Sequence, residues 1–266
     1  MIKLPLLVFG VYFVLRRNWR SAFAFGTVLA AAALLSLAVF GWSLHREWLE
    51  HSVLQYSSHP IGAWNVQSIQ AFLVRLDRPP DILFDFWTAR SPDLPRRLAA
   101  FTLLGLLCGA TVQAYARGRA AVAARADAAA AAPVSSRELE FLLVLTLAIV
   151  TSPLSWSHYY ALLLIPIAFF LGPDFPIAKG AWLHRLAWLG ILLTTPVVLA
   201  LSFSNPTLMT LYTSFGVSHV LLGGLIWFGL LARARVLSVG DPAAPQPRRG
   251  LGTPWIDRRV ARAAGQ

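Results

Sequence analysis

His158 is the residue best placed to do chemistry in this chain. It sits in a polar and aromatic island, Ser152-Pro153-Leu154-Ser155-Trp156-Ser157-His158-Tyr159-Tyr160, inside a run of 33 residues without charge from Phe141 to Pro173. An imidazole there can donate a hydrogen bond to a phosphate or relay a proton near neutral pH. Ionisable groups at membrane depth are costly and usually face a cavity or a partner. The same letters also describe a helix-end histidine bonded to a carbonyl, or an interfacial one beside a belt of Trp156, Tyr159 and Tyr160. A second constellation is Trp64-Asn65-Val66-Gln67-Ser68 with Arg75 two helical turns on. Amides, hydroxyls and free N–H groups at a helix start bind sugar hydroxyls, and with an arginine they bind phosphate. An N-cap with a solvated face explains the same residues. Lys3 can neutralise an anionic ligand or snorkel at a helix end. Glu47 and Glu50 read as surface charge, and His219 as a structural hydrogen-bonding group.

These residues need elements to hold them, and the apolar blocks supply helices. A helix of 33 residues would run roughly 50 Å, against a hydrocarbon core of ~30 Å. Two short helices meeting at Pro153 resolve the mismatch and sink the turn carrying Trp156 and His158 into the membrane. Non-helical backbone at that depth persists only in protein or beside a watery cavity, so the island reads as the floor of a site. Further blocks run over Leu4–Leu15, Ser21–Phe40, Leu98–Tyr115, Leu186–Phe203 and Leu211–Leu231. The expected fold is all-α, a polytopic bundle of about seven spans. Ile61, Trp64, Ile69, Phe72, Leu73 and Leu76 recur at helical spacing and predict an amphipathic helix at the outer interface, ended by Arg78-Pro79-Pro80.

Composition agrees: 57% of residues are hydrophobic and 13% charged, with ten tryptophans. The net charge of +11 follows membrane topology rather than a nucleic-acid surface. With the Arg16, Arg17, Arg20 turn inside, every later inward segment is basic: Arg117 to Arg137, then Lys179 and Arg185, then Arg233 and Arg235. The opposite segment, 41–97, balances six arginines with six carboxylates. The positive-inside rule then puts 41–97 on the outer face of the cell membrane and the C-terminus in the cytoplasm. Residues 1–235 form the membrane domain, and 236–266 a disordered basic tail. The single cysteine, Cys108, excludes an internal disulfide, and no spacing suggests a metal.

The order Lys3-Leu4-Pro5 with Arg16-Arg17, then Trp64-Asn65-Val66-Gln67-Ser68 with Arg75-Leu76, then Ser152 to His158, resembles glycosyltransferase family 87. That family is of GT-C type and includes polyprenol-phosphate-mannose-dependent mannosyltransferases. The resemblance implies a hexosyltransferase moving a sugar, mannose above all, from a polyprenyl-phosphate donor to a glycolipid or glycan acceptor, with inversion and no cofactor. It implies that His158, with Trp156 and Tyr159, faces the donor, and that Asn65, Gln67, Ser68, Arg75 and Lys3 share the cavity. It also implies an aspartate base in an outer loop preceding anything present here, so the chain reads as the C-terminal part of such an enzyme, starting midway through a longer protein. The alternatives are a non-catalytic remnant or partner subunit, and a lipid or solute transporter, which would show paired broken helices.

Overall fold

The computed structural model describes residues 7–54, 60–76, 80–85, 93–125, 135–172, 180–195 and 201–237. Among these the protein is helical, with an isolated two-residue bridge as its extended pairing. The expected Lys3 contact and the tail beyond 237 lie outside the described residues.

Helix α1 (Val8–Leu15) turns sharply at Arg17, whose φ is 53°, into α2 (Trp19–Trp48), capped by the Asn18 side chain accepting from the Ser21 N–H. At Gly41 (φ 75°, ψ 166°) the helical path breaks, a conformation glycine adopts without a Cβ penalty. A π-helical turn, Leu49–Leu54, continues it. The short α3 (Ile69–Arg75) follows, then α4 (Leu94–Arg125) and α5 (Ser135–Thr151). Beyond α5 come a non-helical stretch, a 3₁₀ segment (Ser157–Leu163) and α6 (Leu164–Leu171). The chain then forms α7 (Ala181–Thr194), α8 (Pro206–Leu211), a π-helical turn (Tyr212–Gly216) and α9 (His219–Leu237).

Among the described residues, three helical stretches are long and apolar enough to cross a membrane: Trp19–Leu54, Leu94–Arg117 and His219–Val236. The all-α membrane fold thus stands, while several of the expected spans are shorter helices joined by irregular turns. The interruption at Pro153 is present: α5 stops at Thr151 because proline lacks the N–H and biases the preceding Ser152 towards extended backbone.

Two helices of the bundle are inward and two outward in character. Leu139, Leu142, Leu143, Leu147 and Val150 of α5 meet Val220, Leu221, Trp227 and Leu231 of α9 in one core. Close approach there depends on small residues: a Cβ on Gly224 would lie 2.6 Å from the Tyr160 ring, and one on Gly223 3.0 Å from the Gly190 carbonyl of α7. In contrast, α2 and α4 turn Phe23, Leu34, Leu35, Leu98 and Phe101 outwards, as helices in contact with lipid do.

The amphipathic helix expected from Ile61 differs in length and setting. Its helical part begins at Ile69, with the Ser68 hydroxyl accepting from the Ala71 N–H, and residues 60–68 are turn and extended chain. Gln67, Ser68, Ile69, Ala71, Leu73, Val74 and Arg75 are all buried. The polar residues placed on its solvated face belong instead to the interior.

Candidate functional site

The two sequence motifs meet. The Gln67 N–H donates to the Ser155 carbonyl at 2.6 Å and the Ser157 N–H to the Asn65 carbonyl at 2.7 Å, pairing Val66 antiparallel to Trp156. Segments unable to continue as helices thereby satisfy their backbone groups against each other, as buried peptide groups require. The Tyr160 hydroxyl adds a third link, donating to the Gln67 carbonyl at 2.7 Å.

Gln67 and Arg75 tie this junction to α9. The Gln67 amide donates to the carbonyls of Trp64 (2.6 Å) and Val217 (2.7 Å), and its oxygen accepts from the Leu221 N–H at 3.3 Å. Arg75, only 1% exposed, donates from Nη1 to the carbonyls of Gly62, Ala63 and Val66 and from Nε and Nη2 to the Ser218 hydroxyl. Burial pulls its pKa down to about 9, so it is a cation at neutral pH. These partners are neutral carbonyls and a hydroxyl, so the charge is held by dipoles fixed in a low-dielectric setting, where hydrogen bonds to a charged group are strong.

Beside the junction lies an apolar cavity of about 810 Å³ between α1, the π turn after α2, α4 and α5. Ser152, Pro153, Trp156 and Tyr159 line one end, and aliphatic side chains with Cys108 line the middle. Tyr12, Tyr115 and Glu140 line the other end. There the buried Glu140 carboxylate binds two arginines. Arg235 of α9 donates from Nε at 2.9 Å and Nη2 at 2.5 Å, Arg16 from Nη1, and the Tyr12 hydroxyl at 3.4 Å. A carboxylate so buried is retained when paired and hydrogen-bonded on both oxygens, and this one joins α1, α5 and α9.

Of the expected site residues, Trp156 and Tyr159 line the cavity, while His158 is exposed next to them, its ring edge-on to Tyr159 at 4.5 Å between centroids. Asn65 lies half-buried at the bridge, with its side-chain oxygen lacking a hydrogen-bond partner among the described residues. Gln67, Ser68 and Arg75 are brought to the same place but face inwards, bonded to backbone and to Ser218. Sequence reasoning passed over Gln70. Its side-chain oxygen is buried without a partner among the described residues, next to a void of about 20 Å³ shared with Thr151 and Ser152. That void has room for about one water. The Arg16–Glu140–Arg235 cluster was also missed, although each member ends an apolar run on the same side of the expected topology. Among the described residues no three of His, Cys, Asp and Glu gather as a metal site.

Comparison with protein families matches residues 1–153 to glycosyltransferase family 87. No curated protein and no solved structure matches the chain.

Proposed function

Because the chain belongs to glycosyltransferase family 87, and is therefore a membrane glycosyltransferase, we propose that it takes a hexose, mannose in the first instance, from a polyprenyl-phosphate donor and passes it to a hydroxyl of a glycolipid or glycan. In this reaction the bond from the sugar's anomeric carbon to the phosphate oxygen breaks. The polyprenyl phosphate leaves with the electron pair, and the acceptor oxygen bonds to the anomeric carbon and gives up its proton to water. The side of the membrane is proposed from charge: the basic turns lie inside, so Trp156 and His158 face outwards.

The observation that carries the reading is the union of two surfaces. An apolar cavity of about 810 Å³ has the aromatic and polar groups of Trp156, Tyr159 and Ser152 at one end. A donor with an isoprenoid tail and a phosphosugar head has the same two-part character. In this arrangement Trp156 and Tyr159 stack on or flank the sugar, and His158 donates to the leaving phosphate. Asn65, half-buried at the bridge beside Trp156, is the proposed contact to a sugar hydroxyl. Gln67, Ser68 and Arg75 act as positioning residues, fixing the junction on which those groups stand. Lys3 is retained as a proposed contact to the donor phosphate.

The test is transfer of labelled mannose from polyprenyl-phosphate mannose in membranes containing the wild-type or His158→Ala protein. A positioned donor group is worth about 10²-fold or more. The variant is expected to insert normally and lose at least that factor, while nucleotide-sugar without lipid carrier supports no transfer. Undiminished transfer by His158→Ala overturns the histidine's role, and transfer directly from the nucleotide-sugar overturns the donor class.

A further inference from the structure

The cavity beside the junction ends in a charged cluster, and its depth is measurable in helical residues. Helices α4 and α5 form facing walls, lined from Leu104 to Tyr115 on one and from Thr151 to Glu140 on the other. Each interval is 11 residues, or ~16 Å at ~1.5 Å per residue. At its far end Glu140 is held by Arg16 and Arg235, with Tyr12 against the same carboxylate. A hydrocarbon chain gains nothing by displacing that cluster, since separating the carboxylate from its arginines leaves charge buried without a partner. An anionic head group entering from that end meets the negative charge of Glu140, which already engages Nη1 of Arg16 and Nε and Nη2 of Arg235.

Resting on the polyprenyl-phosphate reading above, we infer that the Arg16–Glu140–Arg235 clamp is the stop of a tail-binding cavity, so the protein recognises only the isoprene units nearest the phosphate. Four in-line carbons per unit, at bond lengths of about 1.5 Å, advance about 5 Å. The ~16 Å of wall therefore accommodates roughly three units. Units beyond these leave between the helices into lipid, which is as apolar as the cavity wall and adds no preference.

Cys108, the one cysteine of the chain, reports on this directly. It lines the cavity one helical turn past Leu104 and two turns short of Tyr115, beyond the reach of a single unit and within that of a second. The full chain in lipid nanodiscs is alkylated at Cys108 with a small apolar maleimide, with and without sugar-free isoprenyl phosphates of one, four and eleven units. The four- and eleven-unit phosphates are expected to slow alkylation equally, by about tenfold when the site is about nine-tenths filled, and the one-unit phosphate not at all. Glu140→Gln combined with Arg235→Met, which removes one charge of each sign, is expected to let the eleven-unit phosphate protect at lower concentration than the four-unit one. Stronger protection of the wild type by eleven units than by four overturns the stop while leaving the donor class standing. Absence of protection by every phosphate, with lipid-dependent sugar transfer intact, overturns the cavity as the tail site. Absence of both protection and lipid-dependent transfer defeats the functional reading itself.

Discussion

At the scale of single residues, the molecule separates groups that hold from groups that face a cavity or solvent. Arg75 accepts no exchange with ligand, because its donors are turned to three carbonyls and to Ser218. Arg75→Leu orphans those acceptors at about 1–3 kcal/mol each, so a loss of at least about 3 kcal/mol is expected in thermal unfolding of the detergent-solubilised protein. Arg75→Lys restores little, since an ammonium lacks the planar fork. A variant as stable as wild type refutes this structural role. The structure brings Asn65, Gln67, Ser68 and Arg75 to one junction, none of them among the residues lining the cavity, where the sequence left open whether they bind a ligand or a backbone. The difference is decided by the Val217 carbonyl and the Ser218 hydroxyl, about 150 residues downstream, which no local spacing announces.

At the scale of elements, the helix break at Pro153 was readable because length, absence of charge and proline coincide in one stretch. The bridge of Val66 to Trp156 was not, since pairing between two short irregular segments depends on tertiary contact rather than on period. The approach of α9 to the 3₁₀ segment rests on Gly224, where a Cβ would meet the Tyr160 ring at 2.6 Å and Val150 at 3.0 Å. Gly224→Val is expected to push Tyr160 away from the Gln67 carbonyl and to cost about 1–3 kcal/mol as overpacking. Tyr160→Phe, which removes only the hydroxyl's bond, is expected to cost about 1 kcal/mol. Comparing the two melting temperatures checks the order; a larger loss for Tyr160→Phe would contradict it.

At the scale of the whole molecule, hydropathy revealed a membrane protein, and the charge pattern supplies the proposed sidedness. A protease-cleavable tag after Gln266 is expected to stay protected in intact cells and to be cut once the membrane is opened; cutting in intact cells reverses the orientation. The apolar wall of the cavity had no signature in the sequence, unlike the island at its end, because it is assembled from α1, α4, α5 and the turn after α2, each an ordinary segment alone. The junction beside that cavity also sets an order in time. Its strands of chain are 90 residues apart at Val66 and Trp156, and Gln67 waits for Val217 and Leu221, nearly the last residues of the described fold to be synthesised. Closing such long loops carries an entropic cost before any bond repays it. The segment around Gln67 therefore lacks these partners until the final helix arrives, and a ribosome stalled before residue 217 should leave it open to protease.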